Sequence, residues 1–310
     1  MDSGKRRRSE RTLTPMPHTV RTLAEGLTFG EGPRWRADDR GGRLWFSDFF
    51  SQSIRSVGMD GDVAVELELD DRPSGLGWMP DGSLLFVAMN SREVRRRGPD
   101  GTVALHADLS GVASHTCNDM VVDADGGAWV GNFGVDFAEL MHRSFADVAA
   151  DPPLADLARV APDGTATVAA RGMAFANGSV ITPDGRTLIV AESLGRRLTA
   201  FDIAPDGSLS NRRTWADTPS RSPDGIALDA EGAVWFANAF AGECVRIAEG
   251  GEVLDVVETG ARNCYACMLG GPEGRHLFML VADTVEPDAG VLPTGAILVT
   301  EVEVSRAGRP

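Results

Sequence analysis

Four side chains with oxygen donors occupy the same position in four copies of a repeated sequence pattern. They are Glu31, Asn118, Asn177 and Asp224. Carboxylate and amide oxygens are the donors that hard divalent cations prefer, and two carboxylates match the charge of such an ion. If the four side chains converge, they predict one cation site. Calcium is the first choice because it accepts irregular oxygen coordination, and magnesium, manganese and zinc are the alternatives.

A second interpretation of these residues is that they cap turns. Asn177 and Asp224 each precede a glycine, and Asn or Asp before Gly is a frequent turn signal. Glu31 has no comparable turn preference, so the turn interpretation does not cover the whole set. Without a cation, two carboxylates in one narrow channel are expected to repel each other, which raises a pKa.

The elements that must position these residues are visible as an internal repeat. Short apolar runs recur about every 45 residues, a period typical of propeller blades. The runs are "LWFSD" (44–48), "LLFVA" (84–88), "AWVGN" (128–132), "LIVAE" (188–192), "VWFAN" (234–238) and "LFMLV" (277–281). A triplet such as "PDG" or "AEG" comes before most runs and indicates a tight hairpin turn, and further strand-like segments follow each run. Six units of four antiparallel strands predict an all-β, six-bladed β-propeller.

The repeat also assigns one equivalent position to each unit. Counting back six residues from the first residue of each turn reaches Glu31, Ser74, Asn118, Asn177, Asp224 and Ala266. This position falls near the start of the innermost strand of each blade. Because innermost strands line the central channel, the side chains at this level are expected to meet near its axis.

The domain prediction divides the chain into a leader and one propeller. Residues 1–18 are interpreted as a disordered leader, since their basic stretch is not followed by an apolar segment, and residues 19–310 as a single domain. The N-terminal segment 19–27 is expected to add the outer strand of blade six and close the ring, which removes exposed sheet edges. An insertion at about 133–158 in blade three is either a lid over one end of the ring or a neutral surface loop.

Composition excludes several classes of partner. The formal net charge of -15 argues against nucleic acid and anionic membranes, both of which need a cationic surface. Four cysteines without dense spacing suggest no disulfide scaffold and favour the cytoplasm, with the protein a monomer or homodimer. Cys264 and Cys267 form a C-x-x-C pair, but residues three apart in an extended strand point to opposite faces. They are therefore interpreted as ordinary buried cysteines.

Several segments resemble one known family. They are "GEGPRW", "CNDMVVDADGGAWVGN", "FANGSVITPDGRTLIVAES" and "SPDGIALDAEGAVWFAN". These segments are similar to the signatures of the senescence-marker protein/gluconolactonase/luciferin-regenerating-enzyme family of six-bladed propellers, over roughly residues 20 to 304. The resemblance implies that Glu31, Asn177 and Asp224 bind a divalent cation and that Asn118 contacts substrate or a metal-bound water. It also implies lactone hydrolysis, although the arginine common in sugar lactonases two residues before Asn118 is replaced by Thr116.

A hypothesis for catalysis assigns a role to each residue. Asp224 is the expected base that accepts a proton from water, Glu31 and Asn177 fix the cation, and Asn118 orients the carbonyl or the water. Further substrate contacts are expected from residues near the channel mouth, namely His115, Thr116, Asp136, Phe137 and Tyr265. Packing alone is the alternative interpretation of Tyr265, and an exposed loop position without a catalytic task is the alternative for His115.

Two other functions stay open at this stage. The same fold and cation could serve the hydrolysis of other esters or phosphotriesters, or the protein could be a non-catalytic binding propeller stabilised by calcium. A conventional serine hydrolase is disfavoured because the sequence contains no G-x-S-x-G motif. The leading prediction is a divalent-metal-dependent hydrolase of lactones.

Overall fold

The fold is an all-β propeller, as the repeat predicts. The structure, a computed structural model, describes residues 18–38, 41–136, 139, 142–143, 145–284 and 293–310. Within these ranges the strands form six four-stranded antiparallel sheets, one for each blade. The predicted six-bladed architecture is confirmed. Most of the predicted leader, residues 1–17, and Phe137 lie outside the described residues.

Strand β1 (Arg21–Leu27) precedes the first blade. The strands of blade one are β2 (Gly30–Arg36), β3 (Arg43–Asp48), β4 (Ser53–Val57) and β5 (Val63–Glu68). The strands of blade two are β6 (Pro73–Trp78), β7 (Leu84–Ala88), β8 (Glu93–Arg97) and β9 (Val103–Asp108). The strands of blade three are β10 (Cys117–Val122), β11 (Ala128–Asn132), β12 (Ala155–Val160) and β13 (Ala166–Met173), with helix α1 (Phe145–Ala150) between β11 and β12.

The remaining three blades repeat this arrangement. The strands of blade four are β14 (Ala176–Ile181), β15 (Thr187–Glu192), β16 (Arg197–Ile203) and β17 (Leu209–Asp217). The strands of blade five are β18 (Pro223–Leu228), β19 (Val234–Asn238), β20 (Glu243–Ile247) and β21 (Val253–Glu258). Blade six contains β22 (Asn263–Gly270), β23 (His276–Ala282) and β24 (Gly295–Glu301). The second strands carry most of the largest fully buried side chains, such as Phe46, Phe86, Trp129, Trp235 and Phe278.

The N-terminal strand closes the ring. In blades one to five the four strands are neighbours in chain order, whereas blade six has the order β22, β23, β24, β1. Strand β1 runs antiparallel to β24, with Leu27 opposite Gly295. The last blade is therefore built from both ends of the propeller, which confirms the predicted closure and leaves β24 without a free edge.

A register shift near the start of each innermost strand shapes the channel wall. In β14, for example, pairing with β15 shifts between Ala176 and Ser179, which is the pattern of a β-bulge. Glycine at the bulge lets neighbouring blades approach each other, because a Cβ on Gly178 would lie 2.6 Å from the carbonyl oxygen of Asp224. The dipeptides Asn177-Gly178 and Asp224-Gly225 therefore belong to strands and do not form turns.

The same kind of bulge changes the geometry of the C-x-x-C pair. A register shift between Cys264 and Ala266 inserts an extra residue into β22, so the simple alternation of faces does not hold there. Cys264 and Cys267 both pack in one apolar cluster with Cys244. All are free and buried, and burial raises the pKa of Cys264 and of Cys244. These thiols belong to the core.

The C-terminal segment, residues 304–310, lies at the end of the channel opposite the starts of the innermost strands. Its backbone groups form hydrogen bonds with blades four, five and six, at the ends of their innermost strands or in the turns that follow. Within the described residues these hydrogen bonds are Arg306 N to Gly274 O, Ala230 N to Ser305 O, Ala307 N to Leu228 O, and a reciprocal pair between Ile181 and Arg309, all 2.8 to 2.9 Å. The segment therefore links three neighbouring blades.

We expect a chain truncated after Glu303 to unfold at a lower temperature than the full chain. Loss of these backbone bonds costs about 1 kcal/mol each, which corresponds to a fall of roughly 10 °C in the midpoint of thermal unfolding. Circular dichroism measures this change. The control is Arg309→Ala, which keeps the backbone bonds and should shift the midpoint little. Equal midpoints for the truncated and full chains would show that the C-terminal segment contributes nothing to stability.

Candidate active site

The four predicted oxygen donors lie at one level of the channel. Each is the second residue of an innermost strand: Glu31 in β2, Asn118 in β10, Asn177 in β14 and Asp224 in β18. All are between 4% and 6% exposed, and all line the same cavity of about 280 Å³. Ser74 holds this position in β6, and its hydroxyl contacts Asn118 Oδ1 at 3.4 Å. The structure therefore brings the predicted set together.

Blade six contributes Tyr265 at this level, and the expectation of Ala266 is off by one residue. Leu269 of β22 pairs with Leu277, as Leu228 of β18 pairs with Val234. Tyr265 lies four residues before Leu269, and Asp224 lies four residues before Leu228. The miscount arises because β22 runs one residue further before its turn. Tyr265 lines the cavity, whereas Ala266 belongs to the apolar core.

Two acceptor oxygens in this site have no hydrogen-bond partner among the described residues. They are Asn177 Oδ1 and Asp224 Oδ1, both fully buried. The Asn177 amide nitrogen is oriented by Ser193 Oγ at 3.2 Å, and that hydroxyl donates to the carbonyl of Pro223 at 2.8 Å. Buried acceptors without partners are costly, so this arrangement favours a bound positive charge.

Electrostatics lead to the same conclusion. Burial raises the pKa of Glu31 well above its usual value, and the charges of Asp224 and Asp119 raise it further. Burial also raises the pKa of Asp224, again helped by Asp119. Carboxyl groups in such surroundings ionise readily only when a cation compensates them. The raised pKa of Glu31 beside Asp224 is in the direction that repulsion between the two carboxylates predicts.

The donor set fits a hard cation. Two carboxylates and two amides provide oxygen atoms only, which suits calcium, magnesium or manganese better than zinc, whose protein ligands include nitrogen and sulfur. The described part of the chain has no group of three or more His, Cys, Asp and Glu side chains that could hold a metal. That finding agrees with a site in which two of the four donors are amides.

Asp119, the residue after Asn118, has a separate task. Its carboxylate forms a buried ion pair with Arg34 at 2.8 Å and accepts the backbone N–H of Met120 at 2.7 Å. Arg34 also donates to the backbone carbonyls of Leu76 and Met120. This pair joins blades one, two and three around the channel and explains why a carboxylate follows the amide of Asn118 near the start of β10.

A polar residue at the end of a second strand holds the backbone that leads into the site. Asp48 accepts the N–H of Phe29 at 2.8 Å, Glu192 accepts that of Ala174 at 2.7 Å, and Asn238 accepts that of Ser222 at 3.1 Å. These bonds fix the chain two or three residues before Glu31, Asn177 and Asp224. Sequence reasoning missed this role, although the polar residue ends four of the six repeated runs.

Glu192 is fully buried and carries the largest network of this kind. Its carboxylate accepts bonds from Arg197 at 2.9 Å and Thr199 at 2.5 Å. A second arginine, Arg212, lies at 3.2 Å. Burial by itself raises the pKa of Glu192, but the bonds from Arg197, Ala174 and Thr199 outweigh it and hold the pKa below its usual value.

We expect Glu192→Gln to lower the free energy of unfolding at pH 7 by about 2 kcal/mol, because an amide presents a donor to two guanidinium groups. A carboxyl with a lowered pKa contributes stability above its unfolded pKa and loses it as the pH falls through the folded pKa. The wild type should therefore lose more stability than the variant below about pH 4.5, the usual value for glutamate. Urea unfolding between pH 3 and 7 measures both effects. Exposed Glu252→Gln is the control, and parallel pH curves for Glu192→Gln and the wild type would contradict the prediction.

The other predicted contacts are placed at different distances from the cavity. Thr116 lines it, as does Tyr265, whose ring centroid lies 4.7 Å from that of Phe29. Burial, with smaller effects from Asp224 and Glu31, raises the pKa of Tyr265 to about 12. His115 is half-buried and is not part of the cavity wall, and Asp136 is exposed and also outside it.

The insertion in blade three contributes to the cavity wall. Val148 of α1 is buried in the apolar cluster at this end of the channel, and Arg143 also lines the cavity. Arg143 donates to the backbone carbonyls of Asp147 and Asp151. Part of the insertion therefore covers the site.

The fold and the site define a class of protein: a six-bladed propeller with an all-oxygen cluster at its axis. A profile of the SMP-30/Gluconolactonase/LRE-like region matches residues 29–283, and the chain belongs to this family. It is 25% identical to regucalcin from Xenopus laevis over 284 residues, which cover 84% of this chain and 85% of the relative. It is 26% identical to an L-arabinolactonase from Azospirillum brasilense over 246 residues, which cover 77% of each.

A solved structure shows the same fold. A luciferin-regenerating enzyme superposes with a TM-score of 0.77 at 20% identity, covering 94% of this chain and 98% of that chain. At this identity the likeness concerns the fold alone. No helix among the described residues has the length and apolar character needed to span a membrane.

Proposed function

We propose that this protein is a divalent-cation-dependent hydrolase that opens lactones. The observation that carries the proposal is the convergence of two buried carboxylates and two amides on one cavity, where Asn177 Oδ1 and Asp224 Oδ1 have no partner among the residues that the structure describes. Membership of a family that includes gluconolactonases supports the assignment, as does the similarity to a relative named an arabinolactonase.

The residues present would hold a cation through Glu31, Asn177 and Asp224, with Asn118 as a fourth oxygen donor. When bound, a divalent cation supplies Lewis-acid polarisation of an ester carbonyl and of water. Calcium is the first choice among the hard cations. Ser193 and Asp48 contribute indirectly, because they orient the Asn177 amide and the backbone before Glu31.

Proton transfer is assigned to Asp224. Its carboxylate accepts a proton from the attacking water as the oxygen adds to the carbonyl carbon of the lactone. The ring C–O bond then breaks, and the departing oxygen takes the proton back from Asp224, which leaves a hydroxy acid and regenerates the carboxylate. Asn118 orients the carbonyl or the water, and the cavity limits access of bulk solvent.

A lactone panel assayed at defined metal content tests the proposal. We expect hydrolysis in the presence of calcium and its loss on addition of a chelator, with activity restored when the ion is returned. Cleavage of phosphotriesters without cleavage of any lactone would replace this function by a related hydrolase. Absence of all hydrolysis, together with unfolding on chelation, would favour a non-catalytic propeller stabilised by calcium.

A further inference from the structure

The wall of the cavity above the oxygen cluster is mostly hydrocarbon. Among the described residues, six of the chain's 13 phenylalanines line it, together with Met89, Val148, Leu194 and Ala239. The six are Phe29, Phe49, Phe50, Phe133, Phe175 and Phe240. Phe133 and Phe175 stack face to face with ring centroids 4.6 Å apart. A molecule bound over the cluster would meet aromatic surface on several sides.

The propeller repeat explains where these side chains come from. In blades one to four, one wall residue lies two residues before the innermost-strand residue at the level of the four oxygen donors, as Phe29 does before Glu31 and Phe175 before Asn177. Another lies directly after a second strand, as Phe133 does after β11. The first position lines the cavity in blades one to four, and the second lines it in blades one to five. Phenylalanine at these positions gives the cavity its aromatic surface, and Phe29, Phe49, Phe133 and Phe175 also pack in the apolar cluster at this end of the channel.

Most polar groups in this wall already have protein partners. The Asn90 amide donates to Asp71 at 2.7 Å, and Arg143 donates to backbone carbonyls of the insertion. Ser193 is engaged by Pro223 and Asn177. Arg72 lies 5.0 Å over the ring of Phe50, which covers one face of its guanidinium. Apart from the oxygen cluster, the described polar side chains left to meet a ligand are Arg72, Thr116 and Tyr265, whose hydroxyl accepts a bond from Asn263 at 3.3 Å and can still donate one.

This distribution disfavours a sugar lactone as substrate. A polyhydroxylated ring needs a hydrogen-bond partner for each buried hydroxyl, and an uncompensated one costs binding energy. An apolar ring or chain gains from the same wall, because burial of hydrocarbon is favourable and aromatic surfaces pack well against it. The position two residues before Asn118, which holds Thr116, adds no charge to the wall.

We infer that the substrate is a lactone with a hydrocarbon body, such as an alkyl- or aryl-substituted cyclic ester, whose carbonyl faces the oxygen cluster while its substituent packs among the phenylalanines. The inference rests on the proposed lactone hydrolysis and specifies its substrate class. It predicts that kcat/KM rises by about fourfold for each methylene group buried in the cavity, until the cavity is filled.

The experiment compares a series of δ-lactones in buffer containing calcium: unsubstituted δ-valerolactone, its alkyl-substituted homologues, and glucono-δ-lactone. We expect kcat/KM to increase along the alkyl series and to exceed that for glucono-δ-lactone by at least about 100-fold at the best chain length. If glucono-δ-lactone is hydrolysed as well as or better than the alkyl lactones, the inference fails while the proposed function stands.

A binding measurement separates the two proposals further. The matching alkyl δ-lactams resist hydrolysis, so calorimetry reports their affinity even if no lactone is cleaved. Affinity that rises with chain length supports an apolar ligand, and the absence of binding along the whole series would overturn the inference. Loss of all lactone hydrolysis with lactam binding intact would overturn only the hydrolase assignment.

Two exposed apolar residues provide a test variant at the rim of the cavity and a matched control away from it. Phe240 is 54% exposed at the cavity edge, so Phe240→Ala should fold, and we expect it to lower the ratio of kcat/KM for alkyl over unsubstituted lactone by about tenfold. Leu105 is 60% exposed on β9 and does not line the cavity, so Leu105→Ala should leave the ratio unchanged. An unchanged ratio in Phe240→Ala, with both variants folded, would contradict a hydrocarbon-binding wall.

Discussion

Asp224→Asn is expected to lower kcat/KM for lactone hydrolysis by about a thousandfold or more. The substitution preserves the shape of the side chain but removes the base, and a positioned general base contributes about 10²- to 10⁴-fold. Asp224 is suited to this role because it lies at the cavity floor, 6% exposed, with Oδ1 free of protein partners among the described residues. That oxygen is therefore available to a cation or to the attacking water.

The measurement must distinguish a loss of catalysis from a loss of the folded state. Thermal unfolding and calcium binding should be recorded on the same preparation as the rate. Asp206→Asn is the matched control, because Asp206 is exposed in the turn between β16 and β17 at the opposite end of the propeller. We expect full activity from the control. An Asp224→Asn protein that binds calcium and retains wild-type kcat/KM would exclude Asp224 as the base.

The sequence was sufficient to predict the six blades, the closure of the ring by the N-terminal strand, and the four oxygen donors that lie at one level of the channel. Repetition carries this information, since equivalent strands in a ring must place equivalent residues at equal depth. The count failed only where the number of residues between the channel-facing position and the following turn differs. This happens in β22, where Tyr265 takes the position expected for Ala266. A count cannot detect such a difference because strand length before a turn depends on pairing.

The supporting residues were harder to find. Glu192 looks like an ordinary strand end in the sequence, yet its carboxylate bonds a backbone N–H of the preceding connection and two arginines. The partners of Asp48 and Asn238 are likewise distant in the chain by 16 or more residues. The aromatic wall was missed for a related reason. Phenylalanines beside strands are usually packing residues, and only the closed ring shows which of them face the channel.

Glu31→Gln is expected to weaken calcium binding by at least about a hundredfold and to abolish hydrolysis at micromolar calcium. Removal of one of two carboxylates halves the formal charge that attracts the ion, and affinity for calcium follows the charge of its ligands. In the wild type, calcium at about 100 times its Kd should stabilise the fold by about 2.7 kcal/mol. The variant should show little of this shift at the same concentration.

Calcium titration followed by thermal unfolding, with kcat/KM recorded in parallel, tests this prediction and also distinguishes a catalytic ion from a structural one. A catalytic site predicts that chelation abolishes hydrolysis while the wild type stays folded, since five blades pair in chain order and β1 closes the sixth without the ion. Glu31→Gln, relieved of one of two mutually repelling buried carboxylates, should then be at least as stable as the metal-free wild type. If instead the metal-free wild type is unfolded, the oxygen cluster holds the ring together, and its part in lactone chemistry would need evidence other than metal dependence.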